Sequence, residues 1–534
     1  MTLTADALMC RGYLPAELPP IFTSQALGGC VRDAAREPRL AAWVDAGGFE
    51  LATFNLARQG VVRRRLTLPH PLPQLRLAAQ IEAHRADLHG AVEALGPAKV
   101  SQTTLALAPA GRALERGLSH EALTDAYASV RASTRYLVEA DITQCYDSVY
   151  THALGWALAG RDRCKAWLRE PRQARAGPAW RDVQVAEELD RAARACQRGE
   201  TRGLPIGPDT SLVLAEVILA AADRLWVRRL PAGARATRLV DDYRVGARTR
   251  ADADQILGDI AAAVQAFGMT LNPKKSRVVE LPAPIDAPWV TALKALLREG
   301  GQPSARQQRR DLLVVFDTAA ALARANADAH VFAYALSLIR SMDVHASNWP
   351  LAQDLLLQIA LAEPGVLPRC LLELLWHRDR RGLPLDPAKH GAVLHELIAR
   401  HAPAGHSSEV VWSLWGLREL GIGLPDDLVP AIERMDDPFV WVTALVLEAD
   451  GLAAGVARRF EGRLTLDDLT GPLWPAACEA LWSDLIDPAR SAGARAIQAQ
   501  DAFQWLRDRG ATLLDRGRAL DLSTKDASLP GAYR

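Results

Sequence analysis

The sequence predicts an α+β domain over residues 1–285, followed by an all-α domain of stacked helices over residues 286–534. The chain of 534 residues is too long for one ordinary hydrophobic core, so more than one domain is expected. Up to about residue 285, short apolar runs alternate with helical patterns, as is typical of mixed structure. Beyond about residue 290, almost every segment has helical periodicity and strand patterns nearly vanish.

The first region is predicted to alternate strands with helices. The stretches RYLVEADI (135–142) and RLVDDYRVGA (238–247) are short, apolar and bounded by chain-breaking residues, which indicates buried strands. Between them, DTSLVLAEVILAAADRLWVRRL (209–230) has helical periodicity. Residues 251–281 predict a helix that stops at Gly268, then a turn and a last strand. The predicted order is therefore strand, helix, strand, helix, strand.

The second region is predicted to be a helical array. Segments such as WPLAQDLLLQIALA (349–362) and GAVLHELIAR (391–400) are separated by short turns rich in proline, glycine and aspartate. Amphipathic helices in short-linked succession bury their apolar faces against their neighbours, as in an α-solenoid. Because no clean repeat period is visible, an irregular helical array stays open as the alternative.

Composition narrows the classes of function. The chain has 49% hydrophobic and 24% charged residues and no apolar run of about 20 residues, which indicates a globular protein without a membrane partner. No signal-peptide pattern opens the sequence, so the cytoplasm is the default location. Seven scattered cysteines without a CxxC pair argue against a disulfide framework and a zinc site. Lys+Arg and Asp+Glu are both 63, so the net charge does not indicate nucleic-acid binding.

Three aspartates are candidates for a metal site. Asp241 and Asp242 are adjacent between β-prone flanks, which predicts a tight strand-turn-strand tip. Desolvated adjacent carboxylates repel one another, and a divalent cation relieves that repulsion. Asp141 ends the other apolar run, where it can meet Asp241 from a neighbouring strand, although capping of the next helix is the alternative for Asp141. Together the three could hold the two metal ions of a phosphoryl-transfer site.

A glycine-rich loop is the next candidate element. In TRGLPIGPDTSLVLAE (201–216), Gly203 and Gly207 with two prolines predict a tight irregular loop before the long helix, which Asp209, Thr210 or Ser211 can cap. Glycines there allow the backbone to approach a base pair or sugar closely. An ordinary helix entry is the alternative.

In order and spacing, ADITQCYDS, GLPIGPDTSLVLAE and LVDDY resemble motifs A, B and C of a reverse transcriptase palm. GMTLNPKKSRVVE resembles motif D, and RRRLTLPHPLPQLRLAAQI resembles the fingers segment. These motifs cover roughly residues 60–280. The resemblance implies that residues 1–285 form polymerase fingers and palm.

The subfamily is also indicated. GLPIGPDTS together with the N-terminal RGYLPAELPPIFTS is similar to the abortive-infection, defence-associated reverse transcriptases, the AbiK-like group. That resemblance implies a HEAT-like helical-repeat domain over residues 286–534, a role in antiphage defence and homo-oligomers. It also implies protein-primed synthesis that leaves the DNA product covalently attached to the enzyme. The priming hydroxyl is left open among serines, threonines and the candidates Tyr13, Tyr334 and Tyr533.

The resemblance also assigns roles to residues. The implied ligands of two Mg²⁺ or Mn²⁺ ions are Asp141, Asp241, Asp242 and the backbone carbonyl of Ile142. The implied nucleotide-binding residues are Tyr146, Gly207, Lys275, Arg64 and Arg65. Tyr146 stands where an aromatic ring excludes a ribose 2′-hydroxyl, which favours dNTPs, and Lys275 stands where motif D offers a cation, with Lys274 as its ambiguous neighbour. Simple packing of Tyr146 and a solvated basic face around Arg64 and Arg65 are the alternatives.

One departure from the family pattern bears on template use. Ile206 stands where most templated reverse transcriptases carry glutamine, and an aliphatic side chain cannot donate the hydrogen bonds that hold a template strand. We therefore expect template-independent or loosely templated DNA synthesis. Two alternatives remain: a templated reverse transcriptase with a dedicated non-coding RNA, and a catalytically idle scaffold whose helical array binds a phage or host protein.

Overall fold

The computed structural model describes residues 3–34, 36–58, 62–115, 117, 120–296, 303–327, 330–341, 343–518 and 520, which form two compact units. Unit 1 consists of the described residues within Met1–Leu14, Ser24–Leu51 and Leu68–Ile285. Unit 2 consists of those within Pro15–Thr23, Ala52–Thr67 and Asp286–Arg534. Two short segments of the first 285 residues therefore belong to the second unit.

The strands, in chain order, are β1 Ala52–Ala57, β2 Arg63–Leu68, β3 Tyr136–Asp141, β4 Arg235–Leu239, β5 Asp242–Ala247 and β6 Arg277–Glu280. The helices of unit 1 are α1 Ala5–Cys10, α2 Gly28–Ala34, α3 Arg39–Asp45, α4 Pro71–Ala83, α5 Arg85–Val92, α6 His120–Arg131, α7 Cys145–Ser148, α8 Ala153–Leu158, α9 Arg161–Arg169, α10 Arg172–Arg175, α11 Arg181–Ala195, α12 Asp209–Trp226 and α13 Arg250–Gln265. The helices of unit 2 are α14 Pro288–Lys294, α15 Ala305–Ala325, α16 Val331–Ser341, α17 Trp349–Ala362, α18 Leu367–Arg381, α19 Pro387–His401, α20 Ser407–Leu420, α21 Val429–Glu433, α22 Pro438–Ala449, α23 Val456–Arg463, α24 Trp474–Trp482, α25 Ala492–Gln498 and α26 Asp501–Arg507.

The core of unit 1 is a four-stranded sheet with the strand order β4-β5-β3-β6, in which every pair is antiparallel. Helix α13 contacts β3, β5 and β6, and α6 contacts β4 and β5. The predicted order of strands and helices is present, with one refinement. RLVDDYRVGA contains the end of β4 and the whole of β5, because the chain reverses between Leu239 and Asp242.

Helix α12 is the central helix of unit 1. It is buried along nearly its whole length, and it contacts α4, α5, α8 and α13. A helix that is buried on all sides is stable only inside a core, where its few charged side chains need partners. Helix α12 can therefore serve as a rigid support for the loop that precedes it and for the strands packed nearby.

Unit 2 is dominated by helices. Beyond Asp286, every secondary-structure element among the described residues is a helix. Helix α20 contacts α19 and α22, and α22 in turn contacts α24, so successive helices stack. Several tryptophans are fully buried between them, including Trp412, Trp415 and Trp441. A HEAT-like repeat stays a prediction. Among the described residues, no helix combines the length and apolar character that crossing a bilayer requires.

The two short N-terminal segments join unit 2 through aromatic and backbone contacts. Phe22 and Phe54 each meet Phe439 edge-on, with ring centroids 5.6 and 5.7 Å apart. The indole of Trp412 donates to the carbonyl of Glu17 at 3.0 Å. The hairpin β1–β2 therefore groups with the C-terminal helices, although its sequence lies among the predicted fingers residues. Partners almost 400 residues away decide this grouping.

Candidate active site

The reversal between β4 and β5 carries the adjacent aspartates. Leu239 pairs with Asp242, which leaves Val240 and Asp241 as a two-residue turn. Val240 has a φ of 53°, a backbone conformation that β-branched residues rarely adopt. Such strain persists only where the surrounding structure over-determines the backbone, and it is concentrated at functional sites. The turn therefore needs a specific support.

Arg238 provides that support. Its fully buried guanidinium donates to the carbonyl of Val240 at 2.7 Å, to both carboxylate oxygens of Glu216 at 2.8 and 3.0 Å, and to Asp223 at 2.8 Å. Both acids lie on α12, seven residues apart and therefore on one face of the helix. A buried charge needs a partner, so three charged residues within apolar runs were a usable signal that the sequence analysis missed.

Arg238, Glu216 and Asp223 form a buried ion triad. Burial opposes the charge on Arg238, but Asp223 and Glu216 outweigh it and hold the pKa of the guanidinium well above its ordinary value. Burial raises the pKa of Asp223, while Arg238 opposes that rise. The triad thus links the strained turn to the most buried helix of the unit.

The structure brings the three predicted metal aspartates to one end of the sheet. Asp141 on β3 lies directly opposite Asp242 on β5, and side chains of opposed residues in an antiparallel pair share a face. The amide of Ile142 donates to the carbonyl of Asp241 at 3.2 Å, which joins the turn to the end of β3. We call Asp141, Asp241 and Asp242 the carboxylate cluster.

Burial and neighbouring acids make this cluster a candidate cation site. Burial raises the pKa of Asp242 to about 6, Arg244 opposes the rise, and the neighbouring Asp241 and Asp141 add to it. The hydroxyl of Tyr127 donates to Asp242 at 3.4 Å. Asp141, Asp241 and Asp242, with the backbone carbonyl of Ile142, would offer oxygen donors only, which suits Mg²⁺ or Mn²⁺. The chemistry of these donors therefore fits the metal ions that the sequence predicts.

The loop after α13 places Lys275 at the cluster. Its ammonium lies 3.0 Å from a carboxylate oxygen of Asp141, and the amide of Asn272 donates to the Asp141 carbonyl at 2.7 Å. Among the described residues, Lys274 has no such ion pair; its backbone amide donates to the Asn272 side chain. The structure thus distinguishes the two lysines and favours Lys275.

The glycine-rich loop contacts the turn that follows Asp141. The amide of Gly203, which has a φ of 86°, donates to the Val149 carbonyl at 2.7 Å, and the amide of Leu204 donates to the Tyr146 carbonyl at 2.9 Å. Tyr146 lies on the short helix α7, five residues beyond the end of β3. The backbone of the loop and the backbone of Tyr146 are therefore adjacent.

The predicted cap of α12 is wrong for Asp209. The N-cap residue is Pro208, without a side-chain cap bond. The buried Asp209 carboxylate instead accepts from Arg112 at 2.6 and 3.0 Å and from the amides of Ala113 and Leu114. Arg112 also donates to the Gly207 carbonyl at 2.7 Å. A second buried ion pair therefore fixes this loop, and nothing near Asp209 in the sequence identifies Arg112 as its partner.

The remaining predicted residues are placed as follows. Arg64 and Arg65 are exposed on β2, in unit 2, and their role as a phosphate clamp stays a prediction. Tyr13 is fully buried and its hydroxyl donates to the Pro69 carbonyl at 2.5 Å, which disfavours it as a primer.

The other two candidate primers lie elsewhere in the chain. Tyr334 lies on α16 of unit 2, edge-on to Trp289. Tyr533 lies outside the described residues.

Residues 91–308 match the family described as reverse transcriptase, or RNA-dependent DNA polymerase. This part of the chain is a reverse transcriptase domain. The match includes β3, the glycine-rich loop, the strained turn and Lys275, and it indicates a nucleotidyltransferase. No curated protein matches the chain.

Solved telomerase structures are also similar to the chain, at a low level. Apo telomerase from Candida tropicalis truncated from its C-terminal domain is 12% identical with a TM-score of 0.31, over 48% of this chain and 56% of that chain. Telomerase from Candida albicans in complex with a TWJ fragment of telomeric RNA is 13% identical with a TM-score of 0.29, over 66% and 62%. Apo telomerase from Candida tropicalis is 9% identical with a TM-score of 0.32, over 83% and 72%. This chain thus spans less than two thirds of the length of the first two structures.

Proposed function

We propose that this chain is a DNA polymerase of the reverse transcriptase class that adds dNTPs by two-metal nucleotidyl transfer at the carboxylate cluster. One observation carries the proposal: Asp141 and Asp242 face each other across paired strands, and Asp241 lies in the strained turn that precedes Asp242. When bound there, two Mg²⁺ or Mn²⁺ ions would activate the attacking hydroxyl and neutralise the pyrophosphate that leaves.

The side chains around the cluster have distinct tasks in this proposal. Lys275 neutralises Asp141 until a cation takes that place, and it then donates to the phosphates of the nucleotide. Tyr146 lies beside the nucleotide sugar and excludes the 2′-hydroxyl. Arg238 keeps the turn in its strained conformation throughout, because its own partners are buried and fixed.

We further propose that synthesis depends weakly on a template and is primed by the protein, in an antiphage defence role and within a homo-oligomer. Ile206 in place of glutamine supports weak template use, and the resemblance to the abortive-infection group supports the rest. A priming hydroxyl must reach the carboxylate cluster. Among the described residues, Tyr127 is a tyrosine whose hydroxyl contacts that cluster, and we therefore test it before Tyr334 and Tyr533.

The test is incorporation of each labelled dNTP, supplied separately with Mg²⁺ and without template or primer. Label that stays with the denatured protein and is released by protease supports protein-primed, template-independent synthesis. Label that appears only after an RNA template and primer are added supports the templated alternative. The double variant Asp241→Ala/Asp242→Ala should incorporate nothing in either format, and normal incorporation by it would refute the assignment of the cluster.

The priming residue is identified by mass spectrometry of the labelled peptide. If Tyr127 primes, Tyr127→Phe abolishes the label attached to protein, while extension of a supplied primer continues. Tyr334→Phe serves as the matched control and should keep both activities. A labelled peptide that lacks residue 127 would exclude Tyr127 and name the primer directly.

A further inference from the structure

A second group of potential metal ligands lies in unit 2, in the loop between α19 and α20. His401 ends α19, and His406 and Glu409 lie on either side of the start of α20. The Nδ1 atoms of the two histidines are 2.8 Å apart, and each lies 3.7 Å from the same carboxylate oxygen of Glu409. Among the described residues, these three form a group of ligand atoms that all lie within 4.8 Å of one another.

These distances leave a position for an ion. A triangle with sides of 2.8, 3.7 and 3.7 Å has its centre about 2.0 Å from each corner. Bonds from zinc to imidazole nitrogen and to carboxylate oxygen are both about 2.0 to 2.2 Å long. An ion of this kind therefore fits between His401, His406 and Glu409 with only small movements of the side chains.

The surroundings of Glu409 are those of an oriented ligand. Arg63 donates to its outer oxygen at 2.8 Å, and Ser408 donates to the same oxygen at 2.7 Å. Arg63 also lies 2.5 Å from the oxygen that faces the histidines, and a carboxylate oxygen has lone pairs for two partners. Hydrogen bonds of this kind fix ligating carboxylates in metal sites and are as important for affinity as the ligands' own geometry.

We propose that His401, His406 and Glu409 bind one divalent transition-metal ion of the zinc class, with a water molecule in the fourth position. Two imidazole nitrogens select such ions over Mg²⁺, which prefers oxygen ligands only. The loop between the histidines, residues 402–405, lines a cavity of about 740 Å³. This site is separate from the carboxylate cluster and does not depend on the proposed function.

The test uses the full-length protein, stripped with a chelator and held in excess Mg²⁺ so that the carboxylate cluster is occupied. Co²⁺ is then titrated in, and Zn²⁺ is used to displace it. One equivalent of Co²⁺ should bind with the visible absorption bands of a four-coordinate nitrogen and oxygen site. No sulfur-to-cobalt charge-transfer band should appear, because none of the three ligands is a cysteine.

Variants of two of the proposed ligands test whether these residues bind the ion. His406→Ala and Glu409→Gln should each bind at least about tenfold more weakly than the parent protein. His395→Ala is the matched control, since His395 also lies on α19 and its ring instead contacts the Gly423 carbonyl at 2.9 Å. It should bind Co²⁺ as the parent does.

Two results would overturn the proposal. The first is an absence of the visible bands in the parent protein, and the second is equal binding by His406→Ala and the parent. Either would mean that the two histidines share a proton between their Nδ1 atoms and that Arg63 and Ser408 suffice to hold Glu409. Melting curves in chelator, recorded for every variant, separate loss of the ligand from loss of the fold.

Discussion

Two sets of buried acidic groups, one from each unit, are satisfied in different ways. In unit 1, Glu216 and Asp223 are buried against the guanidinium of Arg238. In unit 2, the buried carboxylate of Asp437 instead accepts from the Ser407 hydroxyl and from two backbone amides at the start of α22. Both solutions satisfy the carboxylate, but only the first keeps a full positive charge inside the core.

The two kinds of partner suit the different structures that the buried acids hold in place. In unit 1 the buried ion triad fixes a strained turn that carries Asp241, and a charged partner provides strong, directional hydrogen bonds. In unit 2 Asp437 joins the start of α20 to the start of α22, a task that neutral donors can perform. Without a cation, burial raises the pKa of Asp437 to about 6. The same physics thus fixes a strained turn in one unit and joins helices in the other.

The largest expected effect separates chemistry from stability. Asp241→Asn removes a ligand charge from the carboxylate cluster and should lower dNTP incorporation at least about a thousandfold, with little change in melting temperature. Asp437→Asn in unit 2 is the contrasting variant and should leave incorporation unchanged. If Asp437→Asn lowered incorporation as much as Asp241→Asn does, the proposed division of roles would fail.

Removing the buried cation of unit 1 should have the next largest effect. Arg238→Met leaves Glu216 and Asp223 buried without their partner, which should destabilise unit 1 by about 3–5 kcal/mol in urea unfolding. The triple variant Arg238→Met/Glu216→Leu/Asp223→Asn should recover most of that stability, because no uncompensated charge remains. Incorporation by the triple variant should still be at least about tenfold low, since the Val240 carbonyl has lost its donor. Full recovery of incorporation would show that the triad only stabilises the fold.

Asp437, which is buried without a cationic partner, should make the stability of unit 2 depend on pH. The pKa of Asp437 is about 6 in the folded chain. An ordinary aspartate has a pKa of about 4, so the folded state prefers the protonated form. Its contribution to stability is therefore complete below about pH 4 and is lost as pH rises to about 6, a change of about 3 kcal/mol. In Asp437→Asn, the melting temperature should depend less on pH across this window. An identical dependence on pH in the variant and the parent would contradict the assignment of this effect to Asp437.

The smallest expected effect compares two neighbouring lysines. Lys275→Ala should lower incorporation about tenfold, because a charge-assisted hydrogen bond of about 1.5 kcal/mol or more is lost from the site. Lys274→Ala is the matched control and should stay within about twofold of the parent, since its ammonium forms no ion pair with the cluster among the described residues. Equal losses for the two variants would mean that the loop contributes only general positive charge.

The order of elements in unit 1 could be predicted because it depends on local pattern. The apolar runs of β3 and β5, the long apolar helix α12 and the glycine stop at Gly268 are all legible within short windows. The three aspartates were predictable for the same reason, since an acid at the end of an apolar run stands out from its neighbours. Likewise, the turn at Asp241 follows from two adjacent acids between β-prone flanks.

Partners far apart in the chain were decided only by the tertiary structure. Asp209 pairs with Arg112, 97 residues away, and the strand that contains Phe54 packs with Phe439 in unit 2. Periodicity shows which face of an element is buried, but not which other element covers it. The His401 group is a different case, because its residues are close in sequence but become a candidate site only when the helix start turns their ligand atoms toward one another. The sequence by itself therefore determined the elements and the chemistry available, whereas long-range packing decided which charges meet.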